Sequence, residues 1–306
     1  MTIDPIALAA ATLGLATPLL LAALGELVAE RAGILNVGVE GLMLAGAFAG
    51  MLGSWASGSP TIGMLCACGA ALALAALFAL WVVVLDVEQV VAGVAVNLLA
   101  LGATGVLYRA IFGQTGSALT VATFAPLAIA PGVAALAPLR QPLPVYVALA
   151  LVPAVWFFLG RTRLGLRLRA AGEAPQAAES VGVNVGATRT GAILVAALFA
   201  GAAGGYLSLA YSNTFVEGMS AGRGFIALAI VVFGRWRPSG ILIGAWLFGA
   251  ASALQFQLQA AGVAVPFHLL LMLPYVLTLV VLALTSRDAR GPAALAQRRR
   301  LSAAAD

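Results

Sequence analysis

The 306-residue chain has no lysine; all sixteen of its Lys+Arg residues are arginine. A phosphate-binding loop of the GxxxxGK[ST] kind cannot be built without lysine, which excludes ATP hydrolysis by that route. Schiff-base catalysis is excluded for the same reason. Histidine is reduced to His268 and cysteine to Cys66 and Cys68. Two cysteines two residues apart on a helix point in different directions, which suits neither a shared metal nor a disulfide. We read them as filler and expect no metal site. Charge is scarce too, at 9% of residues against about 25% in a soluble domain. The net charge of +5 is no sign of nucleic-acid binding, because the arginines follow membrane topology instead.

What the chain does have is hydrocarbon: 62% of its residues are hydrophobic. Apolar runs near the ~20 residues that cross a bilayer fall at 5–24, 37–54, 61–85, 90–108, 143–160, 190–211, 241–257 and 263–285. The first lacks a basic n-region and is long enough to span, so it reads as a retained helix rather than a cleaved signal. A further run, 216–234, is interrupted by Glu217 and Arg223. Its unbroken core FIALAIVVFG is too short to span, and it is either a partly re-entrant segment or a broken helix covered by protein.

Short cytoplasmic loops are enriched in basic residues. The densest cluster, 160–189, carries Arg161, Arg163, Arg167, Arg169 and Arg189. With that loop inside, the count gives about nine crossings, N-terminus outside and C-terminus cytoplasmic. Thirteen arginines then fall inside and only Arg109, Arg140 and Arg223 outside. The predicted fold is an all-α polytopic membrane protein: one transmembrane domain over 1–286, an external loop at 111–142, and a disordered Ala/Arg-rich tail over 287–306. Small-xxx-small spacings at Gly46/Gly50, Gly201/Gly205 and Gly240/Gly244 point to close helix packing within the chain.

Polar residues within such a chain are the candidates for function. In the loop 160–189, Pro175 suits a helical first turn, Gln176 to Ser180 can continue it, and Gly182 can stop it. The pattern alone leaves open whether this is a helix that docks a motor subunit or an amphipathic connector held at the headgroups. Asn97, about a third of the way into an apolar helix, must be hydrogen-bonded to another helix or to a substrate. The stretch Glu26 to Leu44 carries Glu26, Glu30, Arg31, Asn36 and Glu40. By the topology, Glu26 to Arg31 lie at the cytoplasmic boundary, where charge costs little. Glu40 lies deeper and should face the protein interior.

The segments ERAGILNVGVEGLMLAGAF, EQVVAGVAVNLLALG, TRLGLRLRAAGEAPQAAESVGVNV, SAGRGFIALAIVVFGRWRPSG and LPYVLTLVVL occur in that order from Glu26 to Leu284. Together they resemble the permease subunits of ABC importers for nucleosides and simple sugars, within the branched-chain amino acid and ribose permease superfamily. The resemblance implies a non-enzymatic subunit of the bacterial cytoplasmic membrane that moves its substrate by alternating access. The implied partners are a second permease, usually a different paralogue, ATP-binding subunits that hold ATP and Mg, and an extracytoplasmic substrate-binding lipoprotein. No cofactor belongs to this chain. The resemblance makes Glu173, Ala177, Ala178, Glu179 and Gly182 the coupling residues, and shifts the balance for that loop towards docking. Asn36, Glu40 and Asn97 are the pathway candidates.

Two rivals make different demands. A stand-alone secondary transporter or channel needs deep ion-coupling charges and inverted repeats; few deep charges and no clear repeat are visible. A membrane enzyme needs a nucleophile–base pair or a metal cluster, for which one histidine and two ill-spaced cysteines are poor material. Few fixed charges along the route favour a neutral polar substrate, such as a nucleoside or a sugar, over an ion.

Overall fold

An apolar chain in lipid must satisfy its backbone internally, and helices do so within each segment. The computed structural model describes residues 5–113, 121–127, 138–260 and 291–296, together with 272, 276, 280 and 283. It is helical throughout apart from one isolated bridge, Pro126 to Pro142. Seven of the described helices are long and apolar enough to span: Pro5–Arg31, Val39–Ser57, Pro60–Val84, Gln89–Phe112, Leu143–Arg161, Val185–Tyr211 and Pro238–Ala260. We number these α1 to α5, α8 and α10. Between α5 and α8 lie α6 (Arg163–Glu173) and α7 (Pro175–Ser180), and α9 is Arg223–Phe233. The interrupted run 216–234 is thus a broken helix, with eleven helical residues after an irregular stretch. The run 263–285, His268 and most of the tail lie outside the described residues.

Helix α1 is the axis. From Leu15 to Glu30 every residue is buried, against α5, α8, α9 and α10. The glycine spacings act within the chain, as expected. A Cβ on Gly46 of α2 would stand 2.8 Å from the Gly201 carbonyl of α8, and one on Gly201 would stand 2.8 Å from the Ala67 carbonyl of α3. Helices α2, α3 and α8 therefore touch backbone to backbone. Gly240 does the same against Gly234 where α9 folds back into α10. Part of the loop 111–142 is laid over the helix ends: Ser54 Oγ donates to the Ala122 carbonyl at 2.7 Å, and the Phe124 amide donates to the Leu209 carbonyl at 3.0 Å.

The link from α1 to α2 decides where the polar residues end up. It does not turn back at the level of Arg31 but climbs beside α4. The Leu35 amide donates to Gln89 Oε1 at 2.7 Å, and Asn97 Nδ2 donates to the Val37 carbonyl at 3.0 Å. A Cβ on Gly93 of α4 would lie 2.7 Å from the Gly38 amide nitrogen, so the link climbs from the start of α4 to the level of Gly93, four residues or about 6 Å along that helix. Helix α2 consequently begins well inside the bundle.

Candidate functional site

Two helices start at the same deep point. Glu40, in the first turn of α2, accepts from the Gly222 amide on Oε1 at 2.8 Å and from the Gly224 amide on Oε2 at 2.6 Å. These are two of the donors that the start of α9 leaves without intrahelical partners. A carboxylate there also meets the positive end of the helix dipole, and it sits in the first turn of its own helix besides. One charge is thus held by two helix N-termini. Gly222 supplies the left-handed cap (φ +79°), and a Cβ on Gly224 would lie 2.7 Å from the Glu40 backbone, so no larger residue fits there. Glu40 faces the interior, as its sequence position predicts.

Asn97 completes the junction. Its Oδ1 accepts from the Gly41 amide at 2.7 Å, while its Nδ2 holds the Val37 carbonyl. Asn36 is 1% exposed and lies one step below; its Nδ2 donates to Glu26 Oε1 at 3.2 Å and its Oδ1 accepts from the Gly38 amide at 3.1 Å. Each of the three pathway candidates therefore braces the α1–α2 link or the first turns of α2 and α9.

The expectation that Glu26 and Glu30 lie at a boundary where charge is cheap is corrected. Both are 1% exposed, because the climbing link and α9 cover them. Glu30 Oε2 accepts from the Trp236 indole at 2.5 Å. Glu26 Oε2 has no hydrogen-bond partner among the described residues. Nothing in the sequence pattern marks Trp236. Arg235 and Trp236 both take positive φ (52° and 53°), a costly conformation for residues with side chains. They are held by Glu30 and by Arg31, whose Nε and Nη2 donate to the Trp236 carbonyl at 3.2 and 2.7 Å.

The same hub reaches the coupling loop. Arg31 Nη1 lies 3.9 Å from Glu173 Oε1 at the end of α6. Residues 291–296, inside the tail read as disordered, form a turn on this hub, which corrects that reading for those six. The Ala294 amide donates to the Gly172 carbonyl at 2.9 Å, the Ala296 amide to the Gly33 carbonyl at 3.3 Å, and Gly291 abuts the Trp236 ring. Beyond Glu173 the predicted helix is present, with Pro175 in its first turn and Gly182 (φ +83°) after its end. The five coupling candidates divide. Ala178 is buried against Ala171 and Val185 and anchors α7, whereas Ala177, Glu179 and Gly182 are exposed. Glu173 belongs to the hub.

At the other end, Arg109 of α4 pairs with Glu217 at 2.8 Å, with both side chains about half exposed. No group of three or more His, Cys, Asp or Glu among the described residues is placed to hold a metal.

Comparison with known proteins places the chain in a family. A family model described as the permease component of branched-chain amino acid transport systems matches residues 8–282. A provisionally named glucose ABC transporter permease protein of Haloferax volcanii is 42% identical over 257 residues, covering 83% of this chain and 78% of its own. The guanosine ABC transporter permease protein NupQ of Bacillus subtilis is 37% identical over 297 residues, 92% of either chain. The nucleoside ABC transporter permease protein NupC of Lactococcus lactis is 34% identical over 291 residues, 91% of this chain and 92% of its own. Bacillus subtilis has a second guanosine permease protein, NupP, that matches at 27% over 76% of this chain and 69% of its own. No solved structure matches. The chain belongs to the permease family of the branched-chain amino acid transport systems, in its nucleoside and simple-sugar ABC branch, and is a multi-pass protein of the cytoplasmic membrane.

Proposed function

We propose that this chain forms half of the translocation pathway of an ABC importer for a nucleoside or a related purine or simple sugar. It crosses the membrane about nine times, with its N-terminus outside and its C-terminus cytoplasmic. It pairs with a paralogous permease, sits on ATP-binding subunits that carry the ATP and Mg chemistry, and receives substrate from an extracytoplasmic lipoprotein. The match of this chain to both guanosine permeases of one organism, closer to one than to the other, supports pairing with a paralogue.

The observation that carries the reading is the grip of Glu40 on α9. Discontinuous helices whose N-termini meet at mid-depth are a recurring way to build a substrate site in transporters. Helix α9, about 16 Å long, joins that junction to the Trp236 hub, and the hub touches the end of α6 just before α7. A push on α7 by the ATP-binding subunits thus has a packed route: α6, Arg31 and Trp236, α9, then Glu40. Alternating access needs an element with two arrangements, and in this reading α9 is that element, with Glu40 and Asn97 lining the path.

The experiment is uptake and ATPase activity of the complete transporter in proteoliposomes. Glu40→Ala should cut uptake at least tenfold, equivalent to about 1.4 kcal/mol on the rate-limiting step. Glu179→Arg should leave ATP hydrolysis running while uptake falls. Unchanged uptake in Glu179→Arg would remove the coupling assignment, and an active transporter purified as this chain alone would remove the whole reading.

A further inference from the structure

A cavity of about 530 Å³ opens between α1, α5, α6 and α8, within the roughly 300–1,000 Å³ typical of small-molecule sites. Its walls are apolar: Val28 of α1, Phe158 of α5, Leu164 of α6 and Val195 of α8. Arg167 of α6, exposed, also lines it, as does the turn Gly182–Asn184 directly after α7. A Cβ on Gly191, also in the wall, would meet nothing within 4 Å. The cavity follows α8 from Asn184 to Val195, about 16 Å along the helix axis. It is therefore long and narrow, oily along its length and cationic at one end.

We propose that this cavity is a site for one anionic phospholipid of the cytoplasmic leaflet, its phosphate on Arg167 and an acyl chain along α8. The leaflet assignment rests on the topology proposed above. Two features favour lipid over a segment of a soluble partner. The walls run inward along three spanning helices, where a cytoplasmic subunit does not reach. The helix that carries Arg167 is itself amphipathic, with Arg163 and Arg167 exposed around Leu164 and Leu166 and Arg161 at the end of α5 just before it, the pattern of a helix lying at a headgroup surface. Because the lining includes the turn that follows the coupling helix, an occupied site props α7 against α8. Lipid composition then tunes coupling between ATP hydrolysis and uptake.

The test uses the complete transporter, purified and exchanged into nanodiscs of phosphatidylcholine with or without phosphatidylglycerol. Retained lipid is counted by native mass spectrometry. Wild type should hold phosphatidylglycerol through delipidation. Arg167→Gln should weaken retention about fivefold, the worth of one arginine at a lipid surface. Gly191→Phe, which fills the cavity and changes no charge, should abolish retention, and Arg163→Gln on the same helix should leave it unchanged. Equal losses in Arg163→Gln and Arg167→Gln, or full retention in Gly191→Phe, would overturn the site. So would a photo-crosslinker at Thr188 that captures an ATP-binding subunit instead of lipid. Retention is read without substrate or ATP. A complex that keeps its lipid but imports nothing would therefore sink the transport reading and leave the site standing.

Discussion

The deep junction and the coupling loop are built on opposite terms. Around Glu40 and Asn97, each carboxylate oxygen of Glu40 and both amide atoms of Asn97 are hydrogen-bonded to backbone, and Gly224 lies so close to α2 that a single added carbon would collide. Around α7 the side chains of Ala177 and Glu179 face outward, and a Cβ on Gly182 would meet nothing within 4 Å. One region is finished within the chain. The other presents a surface, anchored from behind by Ala178. In the transport cycle proposed above, force arrives at the exposed α7 and acts at the rigid junction.

Matched substitutions should separate the two. Gly224→Leu drives a side chain into Glu40 and should destabilise the protein by about 3 kcal/mol or more through overpacking; thermal unfolding of the purified complex reads it. Gly182→Leu meets open space and should cost only the left-handed backbone, about 1 kcal/mol, while uptake falls far more than stability does. If the two variants unfold alike, the contrast is wrong. Asn97→Ala strips partners from the Gly41 amide and the Val37 carbonyl and should cost about 2 kcal/mol. The smallest effect belongs to Arg109→Ala. Its exposed pair with Glu217 is worth about 0.5 kcal/mol, and that loss should vanish in high salt.

The sequence made some of this readable and hid the rest for physical reasons. Apolar runs located the seven spans, most of them to within a few residues, since hydrocarbon imposes length and internal hydrogen bonding; α1 runs seven residues past its apolar run, to Arg31. Helix α7 was legible from Pro175 and Gly182 because backbone chemistry at helix ends is local. Glu40 could be marked as deep and inward-facing, yet its partner could not. Gly222 and Gly224 lie more than 180 residues away and contribute only amides, which leave no trace in residue type. The burial of Glu26 and Glu30 was missed for a related reason. Counting from the end of α1 places them at a boundary, but the link 32–38 climbs instead of turning and covers them. Trp236 escaped notice because its role depends on a strained turn that no pattern announces.

That climbing link has a geometric consequence at the far side. Helix α2 starts beside Gly93, about 6 Å along α4 from its first turn, and its nineteen residues add about 28 Å. The sum exceeds a hydrocarbon layer of about 30 Å. Measured from the start of α4, the hairpin of Ser57, Gly58 and Ser59 therefore lies about 4 Å farther than such a layer is thick. Helix α3 has the length to come back, since Pro60–Val84 spans twenty-five residues, about 37 Å. Depth taken at one face returns as height at the other. The fold thereby sets the small polar hairpin of Ser57, Gly58 and Ser59 at the face opposite the Trp236 hub.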